Sequence, residues 1–401
     1  MDSAGETIIF VSVMKTIVVA SDSFKGSLAS LQVADAVELG VHDVFPCCRV
    51  RKIDVADGGE GTVEAMTTVL EGQIVQAHVT GPLGEQITAQ YGIIPHRKLA
   101  VLEMQQAAGL MLVSPEKRNP MNTTTYGVGE IIRHAMDLGY REFIVGLGGS
   151  ATNDGGVGML EALGIRFLDA QGQPVGPYGR DVAQIAQVDL SGMDPRLQEC
   201  VFELACDVTN PLCGSIGASA VFGPQKGADP QMVAQLDSAL AHFAAVTQNA
   251  VVTANAEASG AGAAGGLGFA FMSYLGATLR SGIQTVIEMV GLEDAIKDAD
   301  YVVTGEGRLD AQTAMGKAPM GVAQLAKKYN KPVIALAGSV LENAAACNEV
   351  GIDSFFSVLK TPITLQEAMQ EETARRNIEL TSCQIFNLIR VLQEAKNPNP
   401  V

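Results

Sequence analysis

The sequence predicts an α/β fold in which both chain ends build one parallel-sheet domain and a large second α/β domain is inserted between them. Short apolar, β-branched runs alternate with helical patterns over the first part of the chain, the rhythm of a parallel sheet. That rhythm breaks into three extended runs in succession between residues 74 and 104, then returns near residue 293. A length of 401 residues also favours two cores over one. The expected boundaries are 14–72 together with 293–401 for the outer domain and 73–292 for the insert. Met14-Lys15-Thr16 reads as the natural start, with residues 1–13 as an upstream extension.

The elements follow in order. Lys15–Ala20 is a buried strand, and Leu31–Leu39 a helix with Ser30 as its N-cap and Gly40 as its stop. Val50–Val55 is a second strand, and Asp57-Gly58-Gly59-Glu60-Gly61 leads into a helix reaching Leu70. Ile74–Thr80, Gln86–Ile94 and Lys98–Met104 are strands joined by Gly81–Glu85 and by Ile94–Lys98, a meander that does not continue a doubly wound sheet. Beyond the insert, Tyr301–Val303, Val333–Ala337 and Phe355–Leu359 are strands. Gly316–Tyr329 and Leu341–Glu349 are helices between them, and Leu365–Ala395 is largely helical.

Composition excludes several classes. Lys+Arg is 27 against Asp+Glu 44, a net charge of −17, and such a surface repels nucleic-acid backbones and anionic membranes. No basic run and no Trp are present, so no nucleic-acid partner is expected. Seven cysteines without C-x-x-C spacing read as reduced thiols of a cytoplasmic protein. The start carries Asp2 and Glu6 before a short apolar stretch, unlike a signal peptide. Ala258–Leu279 is uncharged and close to membrane length, but its Gly, Ala and Ser content reads as a loop entering a buried helix, so no membrane partner is expected.

Ligands of open α/β sheets sit beyond the carboxyl ends of the strands. In the outer domain those ends carry Asp22-Ser23-Phe24-Lys25-Gly26-Ser27, the Asp57–Thr62 stretch, Thr304-Gly305-Glu306-Gly307-Arg308-Leu309-Asp310 and Ala337-Gly338-Ser339. Three of these place a carboxylate beside glycine, where a backbone can approach a ligand and an acid can hold Mg²⁺ or take a proton. Lys25, Arg308 and Lys317 lie in the same loops, and Lys226 in the insert, and cations beside glycine turns suit an anion. Each motif alone could be a tight turn with a capping acid or a solvated charge, Lys317 most of all.

The insert adds Gly146–Gly156, GLGGSATNDGG, with Gly148, Gly149, Ser150, Thr152, Asn153 and Asp154. It also adds Cys206-Asp207-Val208-Thr209-Asn210. Gly146-x-Gly148-x-x-Ala151 fits a dinucleotide fingerprint, with Asp169 about 20 residues on, and Gly260-x-Gly262-x-x-Gly265 fits it again without a preceding strand. Two matches in one glycine-rich chain weaken the pattern. No phosphate P-loop and no protein-kinase motif set is present.

DSFKGSL, ADGGEGT, GLGGSATNDGG, CDVTNPLCG, GPQKGA, GAGAAGGLG and TGEGRLDAQT-x-x-GK occur in this order. In this the chain resembles the bacterial glycerate kinase family, from Met14 to about Leu392 and without a departure inside the motifs. The resemblance implies a Rossmann-like α/β domain with a second α/β domain inserted. It implies transfer of phosphate from ATP to D-glycerate, giving 2-phosphoglycerate, in glycerate, glyoxylate or aldarate use. By residue type, Mg²⁺ is expected on carboxylates from Asp57, Glu60, Asp207 and Glu306. Asp207 or Asp154 is expected to take the hydroxyl proton. Lys25 and Arg308 are expected to grip phosphate or the glycerate carboxylate. Ser23, Gly26, Ser27, Gly148, Gly149, Ser150, Thr152, Asn153, Asn210, Lys226, Gly305, Glu306 and Gly307 complete the expected substrate and phosphate contacts. A monomer and a homodimer are both left open. The alternatives are a nicotinamide-dependent hydroxy-acid dehydrogenase and a non-catalytic small-acid-binding protein.

Overall fold

The computed structural model describes residues 16–55, 61–311 and 313–396. In chain order its strands are β1 (Thr16–Val19), β2 (Arg49–Lys52), β3 (Gln73–Thr80), β4 (Gln86–Ile94), β5 (Leu99–Glu103), β6 (Glu142–Gly146), β7 (Arg166–Leu168), β8 (Gln187–Asp189), β9 (Val201–Ala205), β10 (Thr278–Arg280), β11 (Tyr301–Leu309), β12 (Val333–Val340) and β13 (Ser354–Ser357). The chain divides into two compact units, 1–55 with 291–401 and 56–290.

The first unit holds a wholly parallel sheet in the order β13-β12-β11-β1-β2. Counted within the unit this is 2-1-3-4-5, the flavodoxin-like form of a doubly wound sheet, and its topological switch lies between β1 and β11. Helix Ser30–His42 follows β1 and packs on helix Glu371–Lys396. The expected cap and stop are not used. The N-cap is Ala29, whose N–H donates to Gln32 Oε1, while Ser30 Oγ accepts from Val55 N–H. Gly40 lies inside the helix because a Cβ there would sit 2.2 Å from the Glu379 carbonyl of the crossing helix.

A second difference concerns β11, which runs on through Leu309 where a loop after Val303 was expected. Its pairing with β12 is so close at Gly305 that a Cβ would meet the Leu336 carbonyl at 2.3 Å. The glycines and charges of Thr304–Leu309 interrupt the apolar run without interrupting the strand.

The second unit holds a six-stranded sheet, β10-β9-β6-β5-β4-β3. β3, β4 and β5 form the antiparallel meander, and β5, β6, β9 and β10 are parallel. Its core includes Phe143 stacked on Phe202, with centroids 4.8 Å apart, and Phe167 edge-on to Phe243. Helix Thr62–Val69 was expected in the outer domain, yet it buries Val63, Ala65 and Met66 and packs on β4 and β5, within unit 56–290. Ala258–Leu279 contains the turn Ala263–Gly266 and the helix Leu267–Leu275. Among the described residues no helix is long and apolar enough to cross a membrane.

Candidate active site

In the first unit the switch point gathers two of the sequence motifs. The chain leaves β1 still bonded to β11: Ala20 N–H donates to Val303 O and Asp22 N–H to Gly305 O. Phe24–Leu28 then closes as a tight turn, with Phe24 N–H on Leu28 O at 2.8 Å and Gly26 at φ +76°. Phe24 and Leu28 are buried and pin the turn, while Lys25 and Gly26 are exposed. The hydroxyls of Ser23 and Ser27 are buried and have no protein hydrogen-bond partner. Buried hydroxyls in native proteins are normally satisfied, so two such atoms at a switch point fit ligand oxygens.

On β11, Glu306 is buried and accepts from Thr313 Oγ1 and from Lys317 Nζ at 3.2 Å. Burial pushes its carboxyl pKa up, against the pull of Thr313 and Lys317. Lys317 occupies the N-cap position of helix Ala318–Lys328 and turns back onto Glu306. Arg308 is 61% exposed along its side chain and pairs with Asp310 at 3.2 Å. Gly307 approaches the turn: its Cβ position lies 3.7 Å from Lys25 N. Lys25, Arg308 and Lys317 thus stand around one strand pair, with carboxylates beside them.

The second unit builds its set at the carboxyl edge of β5, β6, β9 and β10. After β6, Gly149 at φ +74° accepts Leu110 N–H, Ser150 bridges Gly109, and Ala151 N–H donates to Ala108 O. A Cβ at Gly149 would meet Gln105 Oε1 at 2.1 Å, and Gln105 Nε2 donates to buried Glu103 Oε2 at 2.9 Å. Glu103 Oε1 accepts Val63 N–H. After β9, Asp207 is exposed and accepts Gly282 N–H at 3.2 Å. Asn210 Nδ2 donates to Ile216 O at 2.7 Å, and its own carbonyl accepts Gly262 N–H.

The dinucleotide fingerprint is not realised. It requires a helix N-terminus beside its glycines, but the helix begins at Val157. The N–H groups at its start are already taken: Asp154 accepts from Gly156 N and Gly158 N, and Thr125 Oγ1, itself donating to Asp154, accepts from Met159 N. Asp169 closes its own turn on Gln171 and Gln173 N–H. The second match, Gly260–Gly265, packs backbone on backbone, with the Gly265 Cβ position 2.0 Å from Thr152 O.

Four expected site residues, the ligand contacts Thr152, Asn153 and Lys226 and the proton acceptor Asp154, are buried, and Thr152 Oγ1 and Asn153 Oδ1 have no protein hydrogen-bond partner. Thr152, Asn153 and Asp154 are fully buried, and Lys226 is 2% exposed with its Nζ on Thr152 O at 2.7 Å. Asn153 Nδ2 donates to Ser219 Oγ. These side chains lie beneath the edge of the sheet. Glu103, Gln105 and Thr313 are site-edge residues that the sequence reading passed over; a lone acid ending the apolar run Leu99–Leu102 was the available signal for Glu103. Asp57 and Glu60, the other expected metal carboxylates, lie outside the described residues. Among the described residues no three His, Cys, Asp or Glu side chains converge to hold a metal ion. All seven cysteines are free.

Comparison with known proteins meets this geometry from outside. The family model described as the glycerate kinase family matches residues 17–390. The chain is 51% identical over 342 residues to a glycerate kinase of Haemophilus influenzae, covering 85% of this chain and 90% of that one. It is 49% identical over 370 residues to the glycerate 2-kinase of Escherichia coli, covering 91% and 97%. A crystal structure from Salmonella typhimurium LT2, provisionally named glycerate kinase 2, superposes with a TM-score of 0.83 at 46% identity, covering 95% of this chain and all of that one. On this match along nearly its whole length, the chain belongs to the glycerate kinase family.

Proposed function

We propose that this protein transfers the γ-phosphoryl group of ATP to the 2-hydroxyl of D-glycerate, forming 2-phosphoglycerate and ADP, as a cytoplasmic enzyme of glycerate, glyoxylate or aldarate catabolism. The observation that carries the reading is the switch point of the first unit. It combines three cations, Lys25, Arg308 and Lys317, with the unpartnered hydroxyls of Ser23 and Ser27 in a chain of net charge −17. Arg308 and Lys317 each stand beside a carboxylate, Asp310 and Glu306, so what the turn offers an anionic ligand is cationic donors that can re-pair together with two unpartnered hydroxyls.

Phosphoryl transfer depends mostly on positioning and charge neutralisation. Arg308 and Lys25 are assigned to phosphate or to the glycerate carboxylate, Arg308 by a bidentate grip. The Lys317–Glu306 pair holds β11 and the helix start in register beneath them. Backbone groups of Gly148, Gly149 and Ser150 line the second set, with Asn210 beside Asp207 on the loop after β9. Asp207, exposed at the sheet edge, is assigned as acceptor of the hydroxyl proton. Asp154 is not assigned that role, because both of its carboxylate oxygens are engaged by buried donors. Mg²⁺ takes few protein ligands and binds largely through phosphates, so one exposed carboxylate such as Asp207 fits it without a dedicated cage. Bound with the nucleotide, Mg²⁺ would neutralise charge on the phosphate oxygens.

The capped helix after Gly156 weighs against the dehydrogenase alternative. The test is ADP release that requires D-glycerate, run beside a nicotinamide absorbance assay with the same acid. Glycerate-dependent ADP with a flat nicotinamide trace is the expected result; the reverse pattern would replace the kinase reading by the dehydrogenase.

A further inference from the structure

We infer that Lys226 is a positioning residue: from inside the second unit its amino group holds the Thr152 carbonyl and so sets the height and tilt of Gly148–Ser150 at the sheet edge. The inference rests on the proposed placement of Gly148–Ser150 beside the ligand.

Lys226 ends the turn Pro224–Lys226, and the next residue, Gly227, has φ +95°. A Cβ at Gly227 would lie 2.2 Å from the Arg118 carbonyl, so the turn is seated against that segment and launches the lysine inward from a fixed point. The side chain crosses buried ground to donate to Thr152 O at 2.7 Å. The same carbonyl is closed from another side by Gly265, whose Cβ position is 2.0 Å away. Gly155 N–H donates to Gly265 O, so the stretch is tied to that glycine on both sides of Asn153.

Burying an amino group is costly unless it is bonded and its charge is met. Asp154 is the charged group that faces it, and burial still pulls the Lys226 pKa down to about 7. A packing role alone would be filled more cheaply by Met or Leu. The buried donor makes sense as a clamp on a carbonyl that no strand or helix partner holds. Two residues before that carbonyl, Ser150 bridges Gly109, and Ala151 N–H donates to Ala108 O. These bonds hold the chain immediately before Thr152, so a displaced Thr152 acts on the peptide groups proposed to face the ligand by straining them, and Lys226 keeps that strain off.

The test uses the full chain with Lys226→Ala, which leaves a slot for a small amine. Steady-state turnover with ATP, Mg²⁺ and D-glycerate is measured alone, with n-propylamine and with n-propanol, which has nearly the same shape. Hydrogen exchange of peptides covering 147–152 is followed in parallel. We expect kcat to fall at least tenfold and exchange to speed up, with propylamine restoring both and propanol neither. Turnover and exchange within twofold of the parent would overturn the inference, as would rescue by propanol equal to that by the amine. Loss of the cooperative thermal transition in both Lys226→Ala and Lys226→Met would reduce the residue to a folding role and also overturn it. Amine-rescued exchange with unchanged turnover upholds the clamp, and instead removes Gly148–Ser150 from the ligand site.

Discussion

Replacing Gly265 by Ala tests the close packing that supports the second site. Two costs can be worked from the structure. At φ +69° an L-residue is strained by about 1–2 kcal/mol. The new Cβ would also lie 2.0 Å from Thr152 O and 2.6 Å from Asn153 Cα, backbone atoms that cannot rotate away. Forcing that shift costs about 1–3 kcal/mol more, as overpacking does elsewhere. Gly172 is the control, because it has φ +75° and nothing within 4 Å of its Cβ position. Gly172→Ala pays only the backbone term. The difference, about 1–3 kcal/mol, corresponds to a gap of roughly 2–12 °C between the two midpoints for a unit of this size. Thermal scans of the two variants measure the gap, and steady-state kinetics should show the Gly265 variant alone raising KM. Equal midpoints for the two variants would refute the reasoning and return Gly260–Gly265 to the pool of candidate ligand loops.

Three further outcomes follow from the site. Asp207→Asn should lower kcat by orders of magnitude while leaving the thermal midpoint in place, since the side chain is exposed; near-parent turnover would take Asp207 out of the mechanism. Ser23→Ala and Ser27→Ala should leave the unliganded protein about as stable as the parent, because their hydroxyls have no partner to lose. The same variants should shrink the ATP-induced rise in midpoint, and an undiminished rise would separate those hydroxyls from the nucleotide. For Lys226 the folded pKa, about 7, lies below the unfolded value near 10.4, so the unfolded chain binds more protons between them. Parent stability should therefore rise relative to Lys226→Met as pH climbs from 7 towards 10, by as much as about 4 kcal/mol; urea titrations across that range with a constant difference would contradict the lowered pKa of the buried amine.

Much of the architecture was legible because its signals are local. β1 and the meander announce themselves by β-branched runs of the right length, and the returning rhythm after residue 293 marks the second half of the outer sheet. Seven ordered motifs pointed to the family more sharply than any glycine pattern. The misreadings share one cause: long-range backbone contact. Gly40 looks like a helix stop until the crossing helix is seen above it, and Gly305 looks like a loop residue until Leu336 is seen beside it. Helix Thr62–Val69 follows the outer-domain rhythm in sequence but finds its apolar cover on β4 and β5. At the site, Thr152, Asn153, Asp154 and Lys226 have side chains that bind ligands in many proteins, and a sequence does not display their burial beneath Gly260–Gly266. Glu103 shows the converse, since one acid closing an apolar strand gives no hint that it will join Gln105 and the Val63 amide.

The measurement that tests the central claim most directly is phosphorus NMR of the purified protein with D-glycerate, ATP and Mg²⁺. A new phosphomonoester resonance matching 2-phosphoglycerate, growing in step with ADP, is the predicted result. A 3-phosphoglycerate signal would contradict the proposed position of transfer, and the absence of any new ester would contradict the kinase assignment itself.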